Sequence, residues 1–236
     1  MLFDLGGTLT RREAEDRSVD ESALGFLTSC LTSEGCEMTK QMLFQSYWDH
    51  YGMINDLRER FMIEIPMRIW LSSFLCKLGI SVTNEIVSTT ETALVNARVE
   101  TAVPFTEALD VLEKISSEYR LAIVTNTSSE KVPDMILKRL GMSRFFEFVV
   151  TSAEFGIRKP YPGIFLYALR ELYLRPEEAF FVGDSLRHDI LGSRSINMAS
   201  CLINREETHL GKGLPAPNFI LKSLSELPQT VGSFNR

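Results

Sequence analysis

The sequence predicts an α/β fold: a doubly wound parallel sheet interrupted by an all-helical insertion. Three observations carry this. From residue 104 onward, short apolar runs ending in polar residues alternate with amphipathic stretches, the pattern of βα units. A similar apolar run, Met1-Leu2-Phe3, opens the chain and ends in Asp4. Between them, residues 11–103 are rich in Glu, Leu, Met and Arg, with apolar residues at helical spacing. The expected domains are therefore 1–10 with 104–236 for the sheet, and 11–103 for the insertion.

In chain order, Met1–Phe3 reads as a short buried strand followed by a Gly6-Gly7 turn and Thr8. In the insertion, Leu24, Leu27 and Leu31, and again Met62, Ile65 and Ile69, follow helical spacing, and Pro66 begins or bends a helix. Phe44, Tyr47, Trp48 and Tyr51 share one helical face and read as core. After Pro104 the expected helices are 106–119, about 130–140 closed by Gly141, about 162–172 opened by Pro162, and one from about Asp189. The expected strands are 121–124, 148–150, 179–182, 200–203 and 219–221. Ser223 to Glu226 reads as a capping box opening a short last helix.

Composition narrows the partners. The 236 residues carry a formal charge of −6, which argues against nucleic acid or an anionic membrane as partner. Cys30, Cys36, Cys76 and Cys201 form no C-x-x-C pair, and His50, His188 and His209 lie far apart, so buried thiols are expected rather than a zinc site. No leader pattern opens the chain and no run of 18 apolar residues occurs, so a soluble, cytoplasmic protein is expected.

The strand ends carry the chemistry. Asp4, Thr125-Asn126, Lys159 and Asp184 each follow an expected strand, with Asp189 five residues past Asp184. In open α/β sheets ligands bind at that edge. Asp4 and Asp184 suit a hard divalent cation, and Mg²⁺ takes one or two carboxylates plus water and substrate oxygens. Lys159, the Thr125 hydroxyl, and backbone N–H groups near Asn126 and Gly7 suit phosphoryl oxygens, leaving Asp4 as nucleophile. An insertion leaving right after the first strand is placed as a lid.

The order D-L-G-G-T, V-T-N, R-K-P and V-G-D-S with a further Asp resembles the four motifs of the haloacid dehalogenase (HAD) superfamily, over residues 1–10 and 104–203. Residues 151–165 and 181–189 are similar to its phosphatase branch, and 11–103 to its C1 cap by place and helical character. The resemblance implies a Rossmannoid core and a covalent phosphoryl group on Asp4. Thr125 would bond the phosphoryl group, with the Asn126 backbone near, and Lys159 would stabilise charge on both Asp4 and phosphate. Mg²⁺ would be held by Asp4, the Gly6 carbonyl and Asp184, with Asp189 acting directly or through water. The expected substrate is a small phosphorylated molecule.

The chain departs from that pattern at Gly6. Family phosphatases carry a general acid/base aspartate two residues after the nucleophile, and glycine has no side chain to supply it. General acid–base catalysis contributes about 10²–10⁴ in rate, so leaving groups that need no proton, such as acyl or aryl phosphates, are favoured. His50, Arg58 and Glu59 of the insertion are candidate substitutes by position. Two other readings stay open: a HAD-like protein that binds phosphate without turnover, and a hydrolase of carbon–phosphorus or carbon–halogen bonds. Retention of Asp4, Lys159 and Asp184 together weighs against the former; a phosphonatase would recruit Lys40 or Lys77, the lysines of the helical block.

Overall fold

The computed structural model describes residues 1–13, 16–33, 38–206 and 213–234; Cys36 and His209 lie outside the described residues. The chain divides into two compact units, Met1–Arg11 with Val103–Arg236, and Arg12–Ala102.

Strands are numbered along the chain: β1 (Leu2–Phe3), β2 (Thr10–Arg12), β3 (Ala102–Pro104), β4 (Ala122–Thr125), β5 (Val149–Thr151), β6 (Phe180–Gly183), β7 (Ala199–Ile203) and β8 (Phe219–Leu221). All but β2 and β3 form one parallel sheet in the order β5–β4–β1–β6–β7–β8. The chain steps outward from β1 through β4 to β5, then returns to the other side of β1 for β6, β7 and β8. The order reverses beside β1, and such a reversal opens a crevice at the carboxyl ends of the flanking strands. Asp4 stands at that point.

A two-residue strand holds the centre because both its edges are paired. Leu2 lies between Ala122 and Phe181, and Phe3 between Ile123 and Val182. The Asp4 amide adds a bond of 2.9 Å to the Val182 carbonyl, carrying the pairing one residue further, up to the carboxylate. Both strand side chains are fully buried, as the interior strands of a sheet covered on both faces require.

The helices of this unit are α6 (Ala108–Ser116), α7 (Lys131–Arg139), α8 (Ser152–Phe155), α9 (Pro162–Glu171), α10 (Leu191–Ser195) and α11 (Leu227–Phe234); those of the other unit, α1–α5, are given below. Leu2, Ala122, Val124, Val150 and Phe181 face one way and pack against Ile164, Phe165, Ala168 and Leu169 of α9. The Phe165 and Phe181 rings meet edge to face at 5.1 Å. Gly192 in α10 makes room for this, since a Cβ there would overlap the Phe165 ring. With the strand order given, the right-handed crossover rule puts α6 and α7 on the opposite face, which makes the sheet doubly wound.

The second unit is built from α1 (Asp16–Leu24), α2 (Leu27–Ser33), α3 (Lys40–Phe61), α4 (Met67–Lys77) and α5 (Asn84–Glu100). Thr39 and Thr83 cap α3 and α5 by accepting the amides of Met42 and Ile86. Tyr47 is buried with its ring 5.8 Å from Trp70 and 5.5 Å from Phe74, so it is core, whereas Phe44, Trp48 and Tyr51 on the same face are half-buried. Inside this core Arg98 grips both oxygens of Asp20 at 3.1 and 2.7 Å, and the Tyr47 hydroxyl donates to Asp20 at 2.6 Å. A carboxylate buried at this depth needs such partners.

Several expectations on local structure are corrected. Leu24, Leu27 and Leu31 span two helices, broken at Gly25-Phe26, and their common spacing reflects a shared core rather than one helix. Met62, Ile65 and Ile69 do not lie on one helix: α3 ends at Phe61 with Met62 left-handed (φ 53°), and Pro66 precedes α4, whose Ile69 is 61% exposed. Residues 10–12 and 102–104 are short strands rather than loop or helix, and they pair with each other. No helix among the described residues is long and apolar enough to cross a membrane.

Candidate active site

Lys159 organises the carboxyl edge of the sheet. It follows β5 and α8 and is 2% exposed. Its ammonium donates to Asp4 Oδ1 at 2.7 Å, to Asp189 Oδ1 at 2.6 Å and to the Val124 carbonyl at 2.8 Å, which uses all three N–H groups. Its backbone is held as firmly. Asn126 donates from Nδ2 to the Lys159 carbonyl (3.0 Å) and accepts the Lys159 amide on Oδ1 (2.8 Å). Sequence reasoning placed the Asn126 backbone near phosphate, whereas its side chain clamps the lysine peptide. The pairing of a TN at one strand end with an RK in the next loop carried no sign of this, because the contact spans 33 residues.

Asp189 is 1% exposed and does not begin a helix as expected. Residues Leu186–Ile190 form one π-helical turn before α10, and the turn is capped by Ser185, whose hydroxyl accepts the His188 amide. The wider turn directs Asp189 inward: Oδ1 accepts from Lys159 and Oδ2 accepts the Ser185 amide at 2.9 Å. Gly183 is required here, since a Cβ would overlap the Asp189 carboxylate.

Asp184 stands at the exposed mouth of the same cavity. The Thr8 hydroxyl donates to its Oδ1 at 3.2 Å. Gly7 lies directly against it with φ +82°, where a Cβ would overlap the carboxylate. The second glycine of the Gly6-Gly7 turn is thus demanded twice, by backbone conformation and by space. Gly6 is the reverse case: a Cβ there would meet nothing within 4 Å.

The electrostatics follow from three carboxylates around one ammonium. Burial pushes the Asp4 carboxyl above its usual range, with Lys159 opposing and Asp189 adding to the rise. Burial alone would lower the Lys159 ammonium, but Asp189 and then Asp4 outweigh it, and its pKa is raised. Asp184 is pushed up to about 7 by desolvation and by the negative charge of Asp4 and then Asp189. Carboxyl oxygens of Asp4, Asp184 and Asp189 come within 4.8 Å of one another. Hard oxygen donors gathered this closely, with a surplus of negative charge, fit a divalent cation.

Asp4, Gly6, Thr125, Asn126, Lys159, Asp184 and Asp189 all line one cavity of about 380 Å³. Gly7 lies behind Asp184, in an adjoining cavity of about 390 Å³. Arg158, Ser185 and His188 complete the wall of the first cavity and were not singled out from sequence, although each neighbours a motif residue. In the helical unit, His50 is buried with Nε2 3.2 Å from the Trp70 carbonyl, and Arg58 is buried 2.9 Å from Glu64. Both serve that unit's interior. Lys40 and Lys77 are exposed.

Residues 32–203, more than half of the chain, match the sequence profile of the haloacid dehalogenase-like hydrolases. The chain belongs to the haloacid dehalogenase-like hydrolase family. The matched segment holds Thr125, Lys159, Asp184 and Asp189 and begins after Asp4. Among relatives, a pyrimidine 5′-nucleotidase (YjjG) of Escherichia coli is 33% identical over 141 residues, covering 59% of this chain and 61% of that protein. A glyceraldehyde 3-phosphate phosphatase of Methanothermobacter thermautotrophicus is 38% identical over 106 residues, 44% of this chain and 46% of the relative. The matched parts thus span less than two thirds of either relative. A solved 2-haloacid dehalogenase from Pseudomonas syringae shares the HAD fold at a TM-score of 0.76 and 23% identity, over 99% of this chain and 97% of that one. A HAD phosphatase from Thermococcus onnurineus aligns at 0.68 and 24%, over 98% and 96%.

Proposed function

We propose that this HAD-like hydrolase is a Mg²⁺-dependent phosphatase of small phosphorylated molecules that works through a phosphoryl group carried on Asp4. The observation that carries the reading is the buried Asp4–Lys159–Asp189 ion-pair chain with Asp184 beside it, on the carboxyl edge of the sheet. The phosphatase and nucleotidase relatives support the phosphomonoester class.

Asp4, Asp184 and the Gly6 carbonyl would hold Mg²⁺; both Asp189 oxygens already accept hydrogen bonds, which favours a role through Lys159 or water. When bound, the ion supplies Lewis-acid charge to the phosphoryl oxygens. Lys159 fixes one Asp4 oxygen and keeps the carboxylate ionised against the desolvation that pushes its pKa up. The Asp4 carboxylate attacks phosphorus, the bond from phosphorus to the leaving oxygen breaks, and the leaving group departs with the electron pair. Thr125, which ends β4 and lines the cavity, would donate to the transferred group. Water then attacks phosphorus, releasing phosphate and regenerating Asp4. With no carboxyl on Gly6, the first step favours acyl and aryl phosphates, whose leaving groups are stable as anions.

The unit Arg12–Ala102 is read as the C1-type cap that selects substrate. A cytoplasmic location belongs to the same proposal, supported by the unoxidised thiols of Cys76 and Cys201; Cys201 is buried as expected, whereas Cys76 is exposed. The test is hydrolysis of an aryl phosphate with and without Mg²⁺. Metal-dependent turnover that disappears in Asp4→Asn is expected, and full activity in that variant would refute the nucleophile assignment.

A further inference from the structure

The turn that carries Gly6 and Gly7 is held from outside by a group no motif contains. Arg205, two residues past β7, donates from Nη2 to the Thr8 carbonyl at 3.2 Å and from Nη1 to Glu107 at 2.6 Å. Its guanidinium lies 3.6 Å from the centre of the Phe105 ring. The anchor is itself fixed: Glu107 also accepts from the Ser223 hydroxyl at 3.1 Å, and the Phe105 amide donates to the Leu9 carbonyl at 3.0 Å. Arg205 draws the Glu107 carboxyl down to about 2 against the opposing effect of burial, so this pair is ionised throughout the neutral range. On the other side of the same residue, the Thr8 hydroxyl donates to Asp184. Thr8 therefore links two bonds in series, one to Arg205 through its carbonyl and one to Asp184 through its hydroxyl.

We infer that Arg205, braced by Glu107 and Phe105, is a positioning residue that sets the Gly6–Thr8 turn against Asp184 and so sets the affinity of the cation site. It rests on the metal reading above, and its guanidinium touches neither substrate nor the ion's proposed ligands. Arginine suits the task because its planar fork reaches Glu107 and the Thr8 carbonyl at once while stacking on a ring, which a lysine cannot do. Within the turn, Gly7 donates to the Thr10 carbonyl at 2.7 Å, and Leu9 and Thr10 donate to Leu5 at 2.9 and 3.0 Å. These bonds close the turn on itself, and among the described side chains Arg205 is the one seen to tie the Thr8 carbonyl to the rest of the sheet domain.

The experiment measures Mn²⁺ binding by electron paramagnetic resonance, with no substrate present, in Arg205→Ala, Arg205→Lys, Thr8→Val and the Thr8→Val/Arg205→Ala double variant. Removing an outer partner of a metal site costs about 10–100-fold in affinity, and Arg205→Ala is expected near the lower end, with Arg205→Lys between it and the parent. Because the two bonds act in series, the double variant is expected to lose no more than the larger single loss. A core variant, Leu169→Ala, controls for stability alone and should keep the parent affinity. Lower melting temperature in Arg205→Ala with unchanged Mn²⁺ affinity would overturn the inference, as would additive losses in the double variant. If the parent protein binds no Mn²⁺, the metal reading falls, and hydrogen exchange decides the strut independently. Faster exchange over residues 5–10 in Arg205→Ala supports it, and unchanged exchange refutes it.

Discussion

Replacing Gly6 by aspartate puts a carboxyl in the wall of the cavity lined by Asp4 and Asp184 without steric conflict, since a Cβ at this position meets nothing within 4 Å. The new group enters a field already set by Asp4, Asp184 and Asp189, which has pushed Asp184 up to about 7. The added carboxyl joins the wall of the cavity that Gly6 lines and is the group that would protonate the leaving oxygen. A positioned acid contributes about 10²–10⁴ in rate, or roughly 3–5 kcal/mol at 1.36 per decade. The assay compares parent and Gly6→Asp on phosphate esters graded by leaving-group pKa. The parent rate is expected to fall steeply as the leaving group becomes more basic. In Gly6→Asp the dependence flattens, with alkyl phosphates gaining about 10²–10⁴ and acyl phosphates little. A uniform change across the series, or none, would refute the claim that Gly6 limits proton transfer.

Three further outcomes follow from the same geometry. Asp184 has a raised native pKa, so the folded protein binds more protons than the unfolded chain between about 3.8 and 7 and loses stability as pH rises through that window. In chelator, Asp184→Asn is expected to match the parent near pH 4 and exceed it above pH 7 by about 1–2 kcal/mol after solvent screening; equal melting curves at pH 8 would contradict this. Lys159→Met removes the ammonium that serves two buried carboxylates and should destabilise the protein by about 3–5 kcal/mol, read by urea unfolding, with no loss contradicting the ion-pair chain. Gly7→Ala forces a Cβ onto Asp184 at φ +82° and should weaken Mg²⁺ binding by more than about tenfold in calorimetry; parent affinity would show that the turn is not rigid.

The parallel core was legible because each strand after residue 104 is a compact apolar run with a polar end, and β4, β6 and β7 are buried at every position. Site residues were legible for the same reason: a parallel sheet collects its strand ends on one edge, so Asp4, Thr125, Lys159 and Asp184 could be placed together without knowing the pairing. Less was visible where the backbone departs from regular elements. The π-helical turn over Leu186–Ile190 widens the helix start and sends Asp189 toward Lys159, whereas the sequence puts the start of a regular helix at about Asp189. Asn126 is expected to act through its backbone, whereas its side-chain amide holds the Lys159 peptide. Arg205 and Glu107 were invisible for a plainer reason: they lie 98 residues apart and belong to no motif. In the helical unit, Met62, Ile65 and Ile69 matched a helical period by coincidence across a helix end, a proline and a new start.

The central claim is that Asp4 takes the phosphoryl group. Its most direct measurement is rapid acid quench of the protein turning over an acyl phosphate with Mg²⁺, followed by mass spectrometry of the peptide containing Asp4. Water attack on the phosphoryl-aspartate lacks a base on Gly6, so the covalent species is expected to accumulate, with the mass of one phosphoryl group on Asp4 and none in Asp4→Asn. Turnover with an unmodified Asp4 peptide at every quench time would contradict it.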